Sequence, residues 1–158
     1  MPLSPTPVIR LATHADVTAL AALRWRWTEE QDGDVDDPTF DPRFRDWYAA
    51  EASRRLTWLA EVDGEPAGMV NLMLVERMPR PGRPASRWGY LGNAFVLAAH
   101  RDRGVGARLL TALLAYADGH GLARVMLSPS PRSVPLYQRH GFRPADMLMA
   151  RLPHHDGS

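Results

Sequence analysis

Residues 101–108 read Arg-Asp-Arg-Gly-Val-Gly-Ala-Arg, three guanidiniums spaced around two glycines. An apolar, strand-like run ends just before them at Leu97, and an amphipathic helical pattern begins within them. The first turn of a helix leaves backbone N–H groups unpaired and carries partial positive charge, so it attracts anions. Gly104 and Gly106 let the backbone come close to a bulky anion and supply positive φ where the turn needs it. Arg101, Arg103 and Arg108 add planar donors suited to bidentate phosphate contacts. The chemistry indicated is recognition of a pyrophosphate. A dinucleotide fingerprint fits poorly, because Leu109 stands where its third Gly or Ala belongs. No Gly-Lys-Ser/Thr follows the glycines, as a P-loop requires. The plain alternative is a tight strand-to-helix connection with surface arginines.

The chain has 158 residues, a formal net charge of +1 and no cysteine. That length suits one domain with its own core, expected over residues 1–153, with 154–158 as a disordered tail. Interleaved charges argue against a nucleic-acid partner, which calls for a basic face. Without Cys there is no disulfide, no thiolate nucleophile, no acyl-cysteine route and no Cys-based zinc site. The six histidines are scattered without metal-ligand spacing, so no metal is expected. No apolar run reaches the roughly 20 residues of a membrane helix. Met1–Pro5 lacks the layout of a secretory signal. The expectation is a soluble, cytoplasmic protein with no membrane partner.

Two segments carry a family resemblance. Arg101, Gly104 and Gly106 form Arg-x-x-Gly-x-Gly, and Leu136-Tyr137-Gln138-Arg139-His140-Gly141-Phe142 follows, with a helical and a strand pattern between them. In this order they resemble the acyl-CoA-binding motif and the C-terminal signature of the GNAT N-acetyltransferase superfamily. Ala98 stands where the family often has Pro, and Ser130 where many relatives carry an Asn that bonds the pantetheine arm. The resemblance implies acetyl-CoA as cosubstrate, held by Ala94, Phe95, Val96, Arg101, Asp102, Arg103, Gly104, Val105, Gly106, Ala107, Arg108 and Ser130. Backbone groups at Ala94 and Val96 would hold the arm between two splayed strands, and an N–H near Val96 would polarise the thioester carbonyl.

Direct attack by a primary amine is implied, with Tyr137 protonating the departing thiolate. A phenol titrates near ~10 and a thiol near ~8.5, so Tyr137 can give a proton without being ionised beforehand. Taken alone, Tyr137 also reads as a half-buried aromatic packed on a sheet. The base stays open between Glu76, Glu29, Glu30 and an ordered water organised by Asn93. The acceptor implied is the primary amine of a small cationic molecule, polyamine-like or aminoglycoside-like. The run Glu29, Glu30, Asp32, Asp34, Asp36 and Asp37 falls in a loop that commonly helps form the family's acceptor cleft. It reads either as a recruiter of a cationic amine or as a solvated acidic loop. A protein N-terminus or lysine is the alternative acceptor, and a non-catalytic acyl-CoA sensor the alternative function. Relatives are often dimers, but no homodimer interface is legible in the residues.

These groups need elements to position them. Val8–Ala12 reads as a first strand, and Thr13 or Asp16 caps a helix running toward Glu30. Gly33 and Pro38 interrupt it. A second helix is expected from Pro42 to about Arg55, with Phe44, Trp47, Tyr48 and Ala52 on one side. Trp25, Trp27, Trp47 and Trp58 either line a cleft or pack in the core. Thr57–Val62 and Ala67–Val75 alternate around Asp63-Gly64, a hairpin signal.

After a loop at Met78–Arg87, a strand is expected at Tyr90–Leu97. The helix that follows puts Val105, Leu109, Leu113 and Leu114 on one face, and Gly119 and Gly121 end it. Arg124–Ser128 reads as a strand, Arg132–His140 as a short helix and Asp146–Leu152 as a final strand. Alternation puts Tyr90, Gly92, Ala94 and Val96 on one thin face, and Leu91, Phe95 and Leu97 on the other. The order of elements gives an α+β, or mixed three-layer α/β, fold. The resemblance adds a mostly antiparallel twisted sheet, helices on both faces, and a V-shaped splay between strands near 90–97 and 123–128.

Overall fold

Asp63 and Gly64 take φ of 53° and 78°, the paired positive values of the hairpin turn whose twist matches its flanking strands. The computed structural model containing this hairpin describes residues 4–153; the expected tail at 154–158 lies outside them. In chain order the elements are β1 (Val8–Leu11), α1 (Val17–Asp32), α2 (Phe40–Glu51), β2 (Arg55–Val62), β3 (Glu65–Glu76), β4 (Arg87–Val96), α3 (Val105–Gly119), β5 (Val125–Met126) and α4 (Val134–Arg139). The five strands form one sheet in that order, antiparallel from β1 to β4 and parallel from β4 to β5. The mixed α/β architecture expected from the sequence is the one observed.

The chain falls into two compact units, one ending at Ser128 and the other beginning at Pro129. In the first, Leu59 pairs with Met69 and Met69 with Phe95 across three strands. These three pack with Leu20 and Leu23 of α1 into one buried cluster. The other face meets α3. Trp58 lies edge-on to Tyr116 at 5.7 Å, and a Cβ placed on Gly68 would stand 3.3 Å from Leu109. Burial along α3 takes Val105, Leu109, Leu110, Leu113 and Ala117, so Leu110 rather than Leu114 completes its apolar face. Helices therefore cover both faces of the sheet.

The alternation expected along the strand before the arginine-rich turn is broken in β4. Between the pairs Met69–Phe95 and Asn71–Gly92, β3 contributes one residue, Val70, and β4 contributes two, Asn93 and Ala94. This is a β-bulge, and it shifts the phase of the side chains by one. Residues directly opposite in a ladder share a face. Leu91, opposite Leu72, thus lies on the α3 face, whereas Phe95, opposite Met69, lies on the α1 face. The four residues Tyr90, Gly92, Ala94 and Val96 do not share a face. Asn93 absorbs the bulge in the left-handed region at φ 53°, which Asn tolerates better than most residues.

Other boundaries also differ from expectation: β4 begins at Arg87 instead of Tyr90, β5 keeps only Val125–Met126 of Arg124–Ser128, and α4 only Val134–Arg139 of Arg132–His140. α2 starts at Phe40, with Pro42 in its first turn, and ends at Glu51 because β2 claims Arg55 for its ladder. In the second unit, α4 is followed by no strand at Asp146–Leu152. Met147, Leu148, Met149 and Leu152 are all exposed there. Three consecutive apolar residues are not a half-buried alternation, and unbranched Met has little strand preference.

Candidate functional site

The turn ahead of α3 is built as an anion seat. Gly104 is the N-cap residue in the left-handed conformation, φ 80°, and no side chain caps the helix. The first intrahelical bond from this end runs from the Arg108 N–H to the Gly104 carbonyl, at 3.0 Å. The amides of Val105, Gly106 and Ala107 therefore have no helical acceptor. A Cβ at Gly104 would meet nothing within 4 Å, so glycine is required there for φ, with crowding playing no part. Arg103 and Arg108 are exposed, and neither has a carboxylate partner among the described residues. Asp102 also takes positive φ, 60°. An uncapped helix start flanked by two unpaired guanidiniums fits the diphosphate of a coenzyme.

Arg101 is committed differently. Its Nε donates to the Val96 carbonyl at 3.0 Å, and its Nη2 donates to Glu30 Oε2. Its guanidinium carbon lies 5.7 Å from the Phe95 ring centre. It braces the end of β4 against the last turn of α1.

Beside this turn the sheet opens. β5 pairs only with Gly89 and Tyr90, so residues 91–96 have no strand partner on that edge; Tyr90 Oη donates to Ser128 Oγ at 3.0 Å just past the last pair. The Leu97 N–H goes to Ala67 of β3 at 2.9 Å. Neighbouring residues of a strand point their amides to opposite edges. The Val96 N–H therefore points away from β3, toward the open edge. This is the splay expected between the two segments.

On the α1 face lies a cavity of about 370 Å³. Arg24 of α1 and Phe40, Arg43, Phe44, Trp47 and Tyr48 of α2 line it, over a floor of Thr57, Met69, Asn71 and Asn93. Asn71 is buried, and its Oδ1 accepts from Asn93 Nδ2 at 2.9 Å and from Arg55 Nη1 at 3.2 Å. The bulge thus brings one polar side chain of β4 onto this floor. Of the four tryptophans singled out, only Trp47 lines the cavity. Trp27 stacks on Phe95 at 5.7 Å, Trp25 lies edge-on to Phe40, and Trp58 is buried.

None of the six acidic residues at 29–37 lines this cavity. Glu29 accepts from Trp25 Nε1 and pairs with Arg26, Glu30 pairs with Arg101, and Asp37 pairs with Arg43. Asp37 also accepts from Thr39, and these bonds hold its carboxyl below the usual carboxylate range. Glu76 stands five residues along β3 from Asn71, about 17 Å away and on the opposite face by alternation. Sequence reasoning missed the arginine-rich lining; Arg24, one turn before Thr28 on a helix with aromatic neighbours, was its only local sign.

In the second unit, Tyr137 is buried and packs edge-on against Phe142 at 5.7 Å. Burial pushes its phenol above the ordinary value. The Phe142 and His140 amides both bond the Tyr137 carbonyl, at 3.1 and 3.0 Å, closing the turn at Gly141. Ser130 is exposed and donates to Ser133 Oγ at 3.0 Å. Among the described residues no cluster of three or more His, Cys, Asp or Glu could hold a metal ion, and no helix is long and apolar enough to cross a membrane.

The chain is 34% identical over 79 residues to the uncharacterized N-acetyltransferase YjcF of Bacillus subtilis, covering 44% of this chain and 56% of that protein. It is 29% identical over 86 residues to a glucosamine 6-phosphate N-acetyltransferase of Trypanosoma brucei brucei, covering 54% and 56% respectively. The chain thus spans little over half the length of these curated relatives. A crystal structure of a predicted acetyltransferase with acetyl-CoA from Clostridium acetobutylicum superposes with a TM-score of 0.76 at 19% identity, over 95% of this chain and 99% of that one. The profile of the acetyltransferase (GNAT) family matches residues 18–142, from α1 through Phe142, and the chain belongs to that family.

Proposed function

We propose that the protein is an N-acetyltransferase that moves an acetyl group from acetyl-CoA to the primary amine of a small molecule, in one complex holding both. The observation that carries this reading is the uncapped start of α3 behind left-handed Gly104, set beside the unpaired edge of β4. The family match crosses both compact units, which supports treating residues 1–153 as one functional domain. Acetyl-CoA supplies an acyl carbon that takes the amine nitrogen as the carbon–sulfur bond breaks, leaving an amide and a thiol.

The chain's own groups divide the remaining work. The amides of Gly104–Ala107, with Arg103 and Arg108, hold diphosphate. The backbone edge at Ala94 and Val96 aligns an extended arm, and the Val96 N–H donates to negative charge as it builds on the carbonyl oxygen. Phe95 and Arg101 set that edge in place from behind. Ser130 supplies a hydroxyl to the pantetheine. Tyr137 gives a proton to the thiolate, and its burial keeps the phenol protonated. The amine must lose one proton before attack and one during it. With Glu29 and Glu30 held in ion pairs and no carboxylate lining the cleft, water at Asn93 takes them.

The test has two parts. Calorimetry with coenzyme A should show binding that Gly104→Val abolishes. Thiol release from acetyl-CoA should then follow on some members of a broad amine panel. Binding without turnover on amines or peptides would instead support an acyl-CoA sensor. Turnover on peptides alone would move the acceptor to a protein N-terminus or lysine. The cytoplasm, where acyl-CoA is available, is the compartment this reading requires.

A further inference from the structure

The cleft on the α1 face has a charge opposite to the one its neighbouring acidic loop suggests. Two guanidiniums and no carboxylate line it. Arg43 is neutralised by Asp37, outside the lining. Arg24 has no carboxylate partner among the described residues. Its Nη1 donates to Thr28 Oγ1 at 3.0 Å, and its guanidinium carbon sits 4.4 Å from the centre of the Trp27 ring. Those two contacts fix the head in one place while leaving several of its five N–H donors without an acceptor. A pinned, uncompensated arginine at a cleft wall is a receptor for an anion.

The lining also includes the uncharged polar side chains Thr57, Asn71 and Asn93. Asn93 spends its amide N–H on Asn71, which leaves Asn93 Oδ1 free to accept from an amine. Asn93 also directly precedes the Ala94–Val96 edge. Phe40, Phe44, Trp47 and Tyr48 line the same cleft and offer ring faces and little hydrogen bonding.

Resting on the acetyltransferase reading above, we propose that the acceptor is an amine whose far end carries a carboxylate or a phosphate monoester, and that Arg24 is the residue selecting it. The amine lies at Asn93 and the anion at Arg24, with Arg43 as second donor. A cationic polyamine places charge against charge in this cleft and is a poor acceptor.

The test uses matched amines that differ only at the far end: 4-(2-aminoethyl)benzoate against phenethylamine for the carboxylate, and glucosamine 6-phosphate against glucosamine for the phosphate. The full chain should prefer the anionic member of at least one pair by roughly tenfold or more in kcat/KM, chiefly through KM. The pair that responds identifies the anion. Arg24→Gln should collapse that ratio toward one, and Arg24→Lys should restore most of it. Calorimetric titration of the anionic amines into the coenzyme A complex reads the same preference without turnover. Equal or better use of the neutral or cationic members, or a ratio untouched in Arg24→Gln, overturns the proposal and leaves the acetyltransferase reading standing. Failure of the parent reading is separate: coenzyme A itself does not bind, whatever amine is present.

Discussion

Arg101, in the turn leading into α3, donates to Glu30 in the last turn of α1, 71 residues earlier in the chain. The same guanidinium holds the Val96 carbonyl. One side chain therefore joins the last turn of α1 to the end of β4. If Arg101 works as a brace, removing either partner loosens the same edge. Arg101→Met and Glu30→Gln should both raise KM for acetyl-CoA, by several-fold, with modest loss of stability because the pair is partly exposed. Steady-state kinetics on both variants checks this. A large effect of Arg101→Met with none in Glu30→Gln would mean that Arg101 reaches the phosphates directly.

Gly104 discriminates between two reasons for a glycine. Its φ of 80° penalises any residue with a Cβ by about 1–2 kcal/mol, yet there is open space around the position. Gly104→Asn should therefore keep more coenzyme A affinity than Gly104→Val, because Asn enters the left-handed region at lower cost. Calorimetric affinities for the two variants give the order. Equal losses would point to crowding by the bound ligand.

Tyr137→Phe should lower kcat by about a hundredfold and leave the dissociation constant for acetyl-CoA nearly unchanged. The pH dependence has a definite sign. A proton donor supports turnover below its pKa and fails as pH rises through it. Burial raises the Tyr137 phenol above its ordinary value, so loss of this group's activity should begin only beyond pH ~10. A kcat profile recorded to pH 10, with and without the substitution, checks both points. An alkaline limb near pH 8 that vanishes in Tyr137→Phe would contradict the burial argument.

Stability in acid should depend on Asp16. Its carboxylate accepts from both terminal nitrogens of Arg10, at 2.8 Å, and from the Thr13 amide at 2.7 Å. These bonds hold its pKa well below the usual carboxylate range. A depressed pKa contributes stability above the unfolded value of ~3.9, and that contribution is lost as pH falls through the folded value. Between pH 5 and roughly 2 the melting temperature of Asp16→Asn should thus fall less steeply than that of the parent. Parallel thermal melts across that range measure the difference.

What the sequence discloses and what it withholds divide along a physical line. The uncapped start of α3 is written in consecutive residues, since Gly104 and its neighbours act through local backbone geometry. Hairpin and helices follow from periodicity for the same reason. The bulge is harder to read, because one additional residue leaves the composition of β4 unchanged; Asn93 beside Gly92 is its only local sign. The charge of the cleft is harder still. Six acidic residues dominate the loop in the sequence, and pairing with Arg26, Arg43 and Arg101 withdraws Glu29, Asp37 and Glu30. Arg24, by contrast, has no carboxylate partner among the described residues. The strand expected at Asp146–Leu152 rested on apolar content without alternation, which a ladder does not reward.

The extra residue in β4 lets a single ribbon serve two customers. Upstream of it, Tyr90 and Gly92 share the α1 side with Asn71; downstream, Val96 turns its side chain to α3 while its amide faces the gap. Excising Asn93 would restore a plain zigzag and, in doing so, send either Leu91 or Phe95 to the wrong layer. Homologues and engineered variants can therefore change the side chain at this spot far more readily than they can change its length.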